Sequence, residues 1–311
     1  MHEGSAPTKS CDAPSAIPAL ALAAVVVGNV ALAFGPWFVR VADTGPVAAA
    51  FWRMALGLPF VALLAWRVSG RGSGRLDGGM WWLLVLGGIA FAADLGSWHL
   101  GIRRTTLANA TLFGNTATLL FPLYGFLVAR AWRTRMQGAA LLLAAAGAAL
   151  LMGRSLDVDP RRVTGDLLCV LAGVLYTVYF IAMARVRETM APLPALTLST
   201  AASIVPLLVF ALALGERVWP QAWAPLIGLA LMSQVLGQGC MVYALGKLSP
   251  LVVGLALLIQ PVVAATVGWI VYDERLGLAD LTGAVMVAVA LVLVARAKVA
   301  EPPAKAQMEA A

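Results

Sequence analysis

The sequence predicts an all-α polytopic membrane protein, with ten transmembrane helices arranged as two inverted five-helix repeats. Three observations predict it. Of the 311 residues, 61% are hydrophobic and 12% are charged, where a soluble domain carries about 25% charged residues. Ten apolar runs approach or exceed the ~20 residues that a helix needs to cross a bilayer core. The second five runs repeat the order of the first, and the connections are too short to hold a soluble domain.

The first run, 18–39, follows a polar tail at 1–16. Lys9 and Ala31-Leu32-Ala33 imitate the ends of a signal peptide, but the apolar run continues to Val39 and nine more follow. Run two, 46–66, opens at Pro46 and contains Arg53. Run three, 80–102, begins beside Trp81 and Trp82 and holds Asp94, Trp98 and His99. Run four, 105–129, carries Asn109, Asn115, Thr116 and Thr118. Run five, 137–153, is short and built almost wholly of small residues. Run six, 163–184, has Tyr176 and Tyr179 at mid-span. Run seven, 192–214, leads to run eight, 220–244, which begins beside Trp219 and Trp223 and places Gln234 and Gln238 on one face. In run nine, 249–272, Gln260 precedes Pro261, which removes a backbone donor and frees a carbonyl. Run ten, 280–296, is again short and small. The tryptophans at run ends read as interface anchors. The many Gly and Ala residues read as close helix packing, and those of runs five and ten could also support a homodimer. The predicted units are a first repeat at 17–153, a second at 163–297, and cytoplasmic tails at 1–16 and 298–311.

Net charge is +7, with no basic run of the kind that binds nucleic acid, so the partners expected are the lipid bilayer and a small-molecule substrate. With the N-terminus in the cytoplasm, 13 Lys and Arg fall on that side and 8 on the other, with Arg53 inside a span. The bias favours two cytoplasmic termini. It falls to 9 against 8 without the tails. Cys11, Cys169 and Cys240 fit no zinc or thiol–disulfide spacing, and the histidines are two, so neither metal nor cofactor is expected.

Residues 98–140 align with 241–283 without gaps, setting Arg104 on Lys247, Thr106 on Ser249 and Ala140 on Gly283. At a nearby offset Gly28 meets Gly173, Phe34 meets Tyr179 and Arg40 meets Arg185. Five spans is an odd number, so the second copy enters the membrane the other way up. Inverted repeats of this kind mark secondary transporters, whose substrate site lies near the midplane between the copies.

Several stretches then carry a family likeness. Tyr272-Asp273-Glu274-Arg275-Leu276 precedes Gly283, with Pro261 thirteen residues before Glu274; Pro46 to Arg53 reads PVAAAFWR; Phe34 to Val39 reads FGPWFV; Leu107 to Asn115 reads LANATLFGN. In order and spacing these resemble EamA-like transporters of the drug/metabolite transporter superfamily, over about residues 17–297. The chain departs from the pattern at Thr118, where the family has Pro, and at Ala131, inside a basic loop where the family has an acidic one. The resemblance implies ten helices, cytoplasmic termini, a place in the cytoplasmic (inner) membrane, and movement of small metabolites, often outward. It leaves amino acids, nucleosides, amines and drugs open as substrates.

A charge at mid-membrane costs about 2.5–3.5 kcal/mol on insertion scales and faces the bundle interior. Arg53 lies seven residues inward from Pro46, and Asp94 seven inward from Gly101. Both therefore sit roughly 10 Å below the outer surface on consecutive spans. The spacing predicts an Arg53–Asp94 ion pair, with Asn29 at similar depth. Either the pair fixes the packing of spans two and three, or it lines the cavity and binds a zwitterion or senses a proton. A permanently paired carboxylate makes a poor proton carrier. In the sharper form, the substrate carboxylate competes for Arg53 and releases Asp94 to take a proton. His99, five residues on, lies about 140° round the helix. It reads as an interfacial side chain or as a proton shuttle at the cavity mouth. Trp98 shares the Asp94 face. Asn109 and Thr116 share a face of span four. The candidate substrate-binding residues are Asn29, Arg53, Asp94, Trp98, Asn109, Thr116, Tyr179, Gln234, Gln238 and Gln260. Asp94 and His99 are the proton-coupling candidates. The amides would otherwise serve inter-helix hydrogen bonds, worth about 0.6 kcal/mol each.

The function expected is a secondary transporter, an exporter, of small polar metabolites such as amino acids or related amines, working by alternating access. A drug/nucleoside-type permease of the same fold and a non-transporting scaffold are the alternatives. An enzyme is not expected: the sequence has no His-Glu-x-x-His, no Ser–Lys pair in plausible geometry and no Gly-x-x-x-x-Gly-Lys phosphate loop.

Overall fold

The computed structural model of the chain describes residues 19–69, 78–105, 110, 113–129, 135–153, 162–263, 266 and 277–296. The tails, Asn109 and the Tyr272–Leu276 loop lie outside the described residues. No strand occurs among the described residues. In chain order the helices are α1 (Ala19–Val41), α2 (Pro46–Ser69), α3 (Gly78–Ile102), α4 (Ala117–Ala129), α5 (Arg135–Gly153), α6 (Val163–Val186), α7 (Pro192–Ala213), α8 (Ala224–Leu245), α9 (Pro250–Val263) and α10 (Leu278–Arg296).

Proline starts these helices where its missing N–H costs nothing. Pro46 opens α2, Pro192 opens α7, Pro225 lies in the first turn of α8, and Pro250 opens α9. At the end of α7, Gly215 takes φ +66. Its N–H reaches Leu212 O at 3.0 Å and Glu216 N–H reaches Ala211 O at 3.0 Å. This is a Schellman closure, and it needs a residue without a Cβ.

Six helices, α1, α2, α3, α6, α7 and α8, are long and apolar enough to cross a membrane. Shorter apolar stretches within α4, α5, α9 and α10 stand where the fourth, fifth, ninth and tenth spans were expected. Breaks interrupt two of these regions. A turn at Asn115 and Thr116 precedes α4, and a turn at Leu257 and Leu258 divides α9.

The turns sort to two ends. At one, Gly45 N–H bonds Arg217 O at 3.0 Å, Gln221 N–H bonds Asp43 Oδ2 at 2.7 Å, Ala48 N–H bonds Glu216 Oε2 at 2.8 Å, and Thr105 Oγ1 donates to Asp166 Oδ1 at 2.5 Å. At the other, Arg187 Nε donates to Val242 O at 3.0 Å, and Thr189 lies against Met80 Sδ at 3.8 Å. These are the Glu216 end and the Lys247 end. Successive helices run alternately between them.

The packing has the symmetry of an inverted repeat. α1 packs on α8, α2 on α7, α3 on α6, α4 on α9 and α5 on α10; α2 also meets α8, α3 meets α7, α4 meets α6 and α1 meets α9. Replace each helix by the one five places away and the set maps onto itself: α1 with α8 becomes α6 with α3, and α1 with α9 becomes α6 with α4. The small residues of α5 and α10 serve this contact, since a side chain at Gly147 would stand 2.8 Å from the Gly283 carbonyl. Trp81, Trp82, Trp219 and Trp223 are exposed near helix ends, as interface anchors are.

Candidate functional site

The site grows from interrupted helices. In α1 the helical run ends at Ala33 and restarts at Gly35, with Pro36 in the new first turn. In α9, Pro261 has no N–H to offer Leu257 O, and that carbonyl is taken instead by Gln260 N–H at 3.1 Å. The break in α9 and the break before α4 fall within one residue of each other in the repeat alignment. Such paired interruptions point to a cavity or a protein-buried position, because irregular backbone is tolerated at membrane depth only there.

A cavity of about 100 Å³ opens there, lined from both repeats. Leu32, Ala33, Gly35 and Pro36 come from the α1 break, and Gly114 and Asn115 from the α4 break. Arg53 of α2, and Phe91, Asp94, Leu95 and Trp98 of α3, form one wall; Tyr176 of α6, Gln238 of α8 and Gln260 of α9 form the other. The polar groups are few and the walls apolar and aromatic, the usual make-up of a small-molecule pocket.

Arg53 and Asp94 share this cavity, as their equal depth predicts. The ion pair expected between them is not formed: among the described residues no contact within 4 Å joins the two charges. Arg53 Nε donates instead to Gln234 Oε1 at 3.3 Å, one Nη donates to Ser233 O at 3.4 Å, and the guanidinium stands 5.6 Å from the Phe91 ring centroid. The competing acceptors come from α8, where residues Ala230–Gln238 are π-helical. π-Helical turns recur at functional sites. Gly57, four residues after Arg53, lets this segment approach, since a Cβ there would lie 2.9 Å from Gln234 Cγ. Gln234 Nε2 is anchored on Thr200 Oγ1 at 2.8 Å. Asp94 keeps no hydrogen-bond partner among the described residues, and its carboxylate stays free for the cavity.

The other candidates divide. Trp98, Gln238 and Gln260 line the cavity. Gln260 Nε2 donates to Asn29 Oδ1 at 2.8 Å, and Asn29 Nδ2 donates to Val25 O at 2.7 Å, so Asn29 holds a lining residue without being one. Gln238 Nε2 donates to Tyr176 Oη at 3.1 Å, while its Oε1 is buried without a partner. Thr116 turns its hydroxyl onto the Phe113 carbonyl and does not line the cavity; Asn115 beside it does. Tyr179 is fully buried and stacks on Phe91 at 4.4 Å, behind the wall, and Tyr176 takes the lining position. His99 is neither interfacial nor at the cavity mouth. It is 1% exposed, and its Nδ1 lies 2.6 Å from Pro46 O. A carbonyl only accepts, so Nδ1 carries the proton and His99 ties α3 to the start of α2.

The family model of the EamA-like transporter family matches the chain twice, over residues 19–153 and 163–296. No curated protein matches it. Among solved structures, one crystal structure of a protein is similar with a TM-score of 0.72 at 16% identity, over 88% of this chain and 95% of that one. At that identity the likeness speaks for the fold alone.

Proposed function

Because the chain belongs to the EamA-like transporter family, we propose that it carries a small polar metabolite, such as an amino acid or related amine, outward across the cytoplasmic membrane by alternating access. It is a multi-pass membrane protein. In this reading all ten helices span the bilayer, the Lys247 end and both termini are cytoplasmic, and the Glu216 end faces out.

The observation that carries the reading is the arrangement of Arg53 and Asp94. A guanidinium and a carboxyl group face one small cavity between the repeats without direct contact between them. A zwitterion offers both complements: its carboxylate to Arg53, its ammonium to Asp94 and to the unpartnered Gln238 Oε1. Asp94 needs no release from Arg53 before taking a proton, so it is the coupling residue in this scheme. His99, turned away from the cavity, is a positioning residue.

Counterflow in proteoliposomes tests this. A panel of amino acids, amines and nucleosides is loaded, and exchange is compared in wild type, Arg53→Ala and Asp94→Asn. Saturable exchange of amino acids or amines, lost in Arg53→Ala and reduced but measurable in Asp94→Asn, supports the reading. Exchange of nucleosides or drugs alone turns it to the permease alternative, and no flux of any class leaves a scaffold.

A further inference from the structure

A second cavity, of about 350 Å³, lies at the Lys247 end between α4, the end of α6 and the α8–α9 turn. Phe121, Pro122, Tyr124 and Gly125 line it from α4, Arg185 and Arg187 from the end of α6, and Ser249 and Pro250 from the start of α9. The same two stretches of chain, α6 and α4 with the turn before it, serve both cavities. Along α6, Tyr176 lines the first and Arg185 the second; Asn115, in the turn before α4, lines the first and Tyr124 of α4 the second. The step along α6 is nine residues, about 13 Å of helix.

What separates the cavities is aromatic. Tyr176, on the wall of the first, packs on Phe180 with ring centroids 4.2 Å apart. Phe180 packs edge to face on Phe121, on the wall of the second, at 5.3 Å. Phe180 is fully buried and Phe121 is 1% exposed. One ring thus stands between the lining rings of the two cavities. Thr118, on α4 between Asn115 and Phe121, has a buried hydroxyl without a hydrogen-bond partner. Buried polar atoms are rarely left so, and a hydroxyl that meets water or solute when the rings part has a reason to be there.

We propose that the two cavities are stations on one path and that Phe180, closed against Phe121, is the gate between them. The proposal rests on the transporter reading for its purpose, but its geometry can be tested without a substrate. Rotation of the Phe180 ring away from Phe121, or a small shift of α6 against α4, joins the cavities. Arg187, tied to Val242 O and to the Met190 carbonyl, holds the end of α6 to α8 and sets how far that shift can go.

The test uses the full chain with Cys11, Cys169 and Cys240 changed to Ala, and one cysteine introduced as Asn115→Cys, in vesicles of known orientation. A membrane-impermeant thiol reagent is added to either side. Phe180→Ala and Phe121→Ala are expected to raise labelling from the Lys247 side by on the order of tenfold while leaving labelling from the Glu216 side unchanged. Phe180→Leu and Phe121→Leu, which keep most of the apolar volume, give a smaller rise of the same sidedness and stand in if an alanine variant does not fold. A Ser249→Cys reporter marks the side on which the second cavity opens. No rise from the Lys247 side, or an equal rise from both sides, overturns the gate. Because labelling needs no transported solute, a protein with sided labelling and no counterflow keeps the gate and loses the substrate reading.

Discussion

Arg53 on α2 donates to Gln234 on α8, at 3.3 Å, so the cation of the cavity is held by the opposite repeat and not by Asp94. Gln234→Leu would leave a buried guanidinium donor without its partner, a loss of about 1–3 kcal/mol. The expected result is a lower unfolding midpoint in detergent, with Gln234→Glu, which keeps an acceptor, closer to wild type. Equal midpoints for Gln234→Leu and wild type would mean that Arg53 finds another partner.

Asp94 faces the cavity without a hydrogen-bond partner among the described residues. If it carries the coupled proton, Asp94→Asn exchanges substrate at a rate that no longer varies with pH, while wild type varies. Internal pH followed by a dye during counterflow reads this directly. A variant that keeps the full pH profile removes Asp94 from coupling.

Gly57 and Gly138 offer a matched contrast. A Cβ at Gly57 would press on Gln234 at 2.9 Å, and one at Gly138 meets nothing within 4 Å. Gly57→Ala should destabilise by about 1–3 kcal/mol, as overpacking does. Gly138→Ala, inside α5, should be neutral or stabilise by up to about 1 kcal/mol. Thermal unfolding of the two purified variants decides, and a reversed order contradicts the α2–α8 approach.

The Gln260–Asn29 bridge joins α9 to α1 across the two repeats. A double-mutant cycle with Asn29→Ala and Gln260→Ala should give a coupling near 0.6 kcal/mol, the average for such bonds inside membranes. Loss of transport far beyond that modest energy would show that the bridge positions Gln260 for substrate. An effect on stability alone would make it packing.

Much of this was legible in the sequence, and the limits have physical causes. Run length and apolarity located the helices, because crossing a bilayer leaves little freedom of composition. Depth counted from Pro46 and Gly101 brought Arg53 and Asp94 to one cavity, and helical periodicity turned His99 away from it. The partner of Arg53 was not legible. It depends on the azimuth of α8, and the π-helical turns that rotate Ser233 and Gln234 toward α2 leave no mark in hydropathy. The sequence places Tyr176 and Tyr179 together at mid-span without separating their roles. Three residues along a helix is about 60° of rotation, and only the packed bundle, which buries Tyr179 fully, tells that Tyr176 faces the cavity. Periodicity sets Thr116 on the Asn109 face, but its hydroxyl is spent locally on the Phe113 carbonyl at the break.

The pairing of helices across the repeats bears on how the chain is made. Every helix of the first half finds its main neighbour in the second: α1 in α8, α2 in α7, α3 in α6, α4 in α9, α5 in α10. While the ribosome is still translating the second half, the first sits in the bilayer with Arg53 lacking Gln234, and Asn29 lacking Gln260. Assembly must therefore wait for synthesis to finish. A product stopped at Gly153 is a natural target for membrane quality control, and supplying residues 154–311 as a separate polypeptide should rescue it.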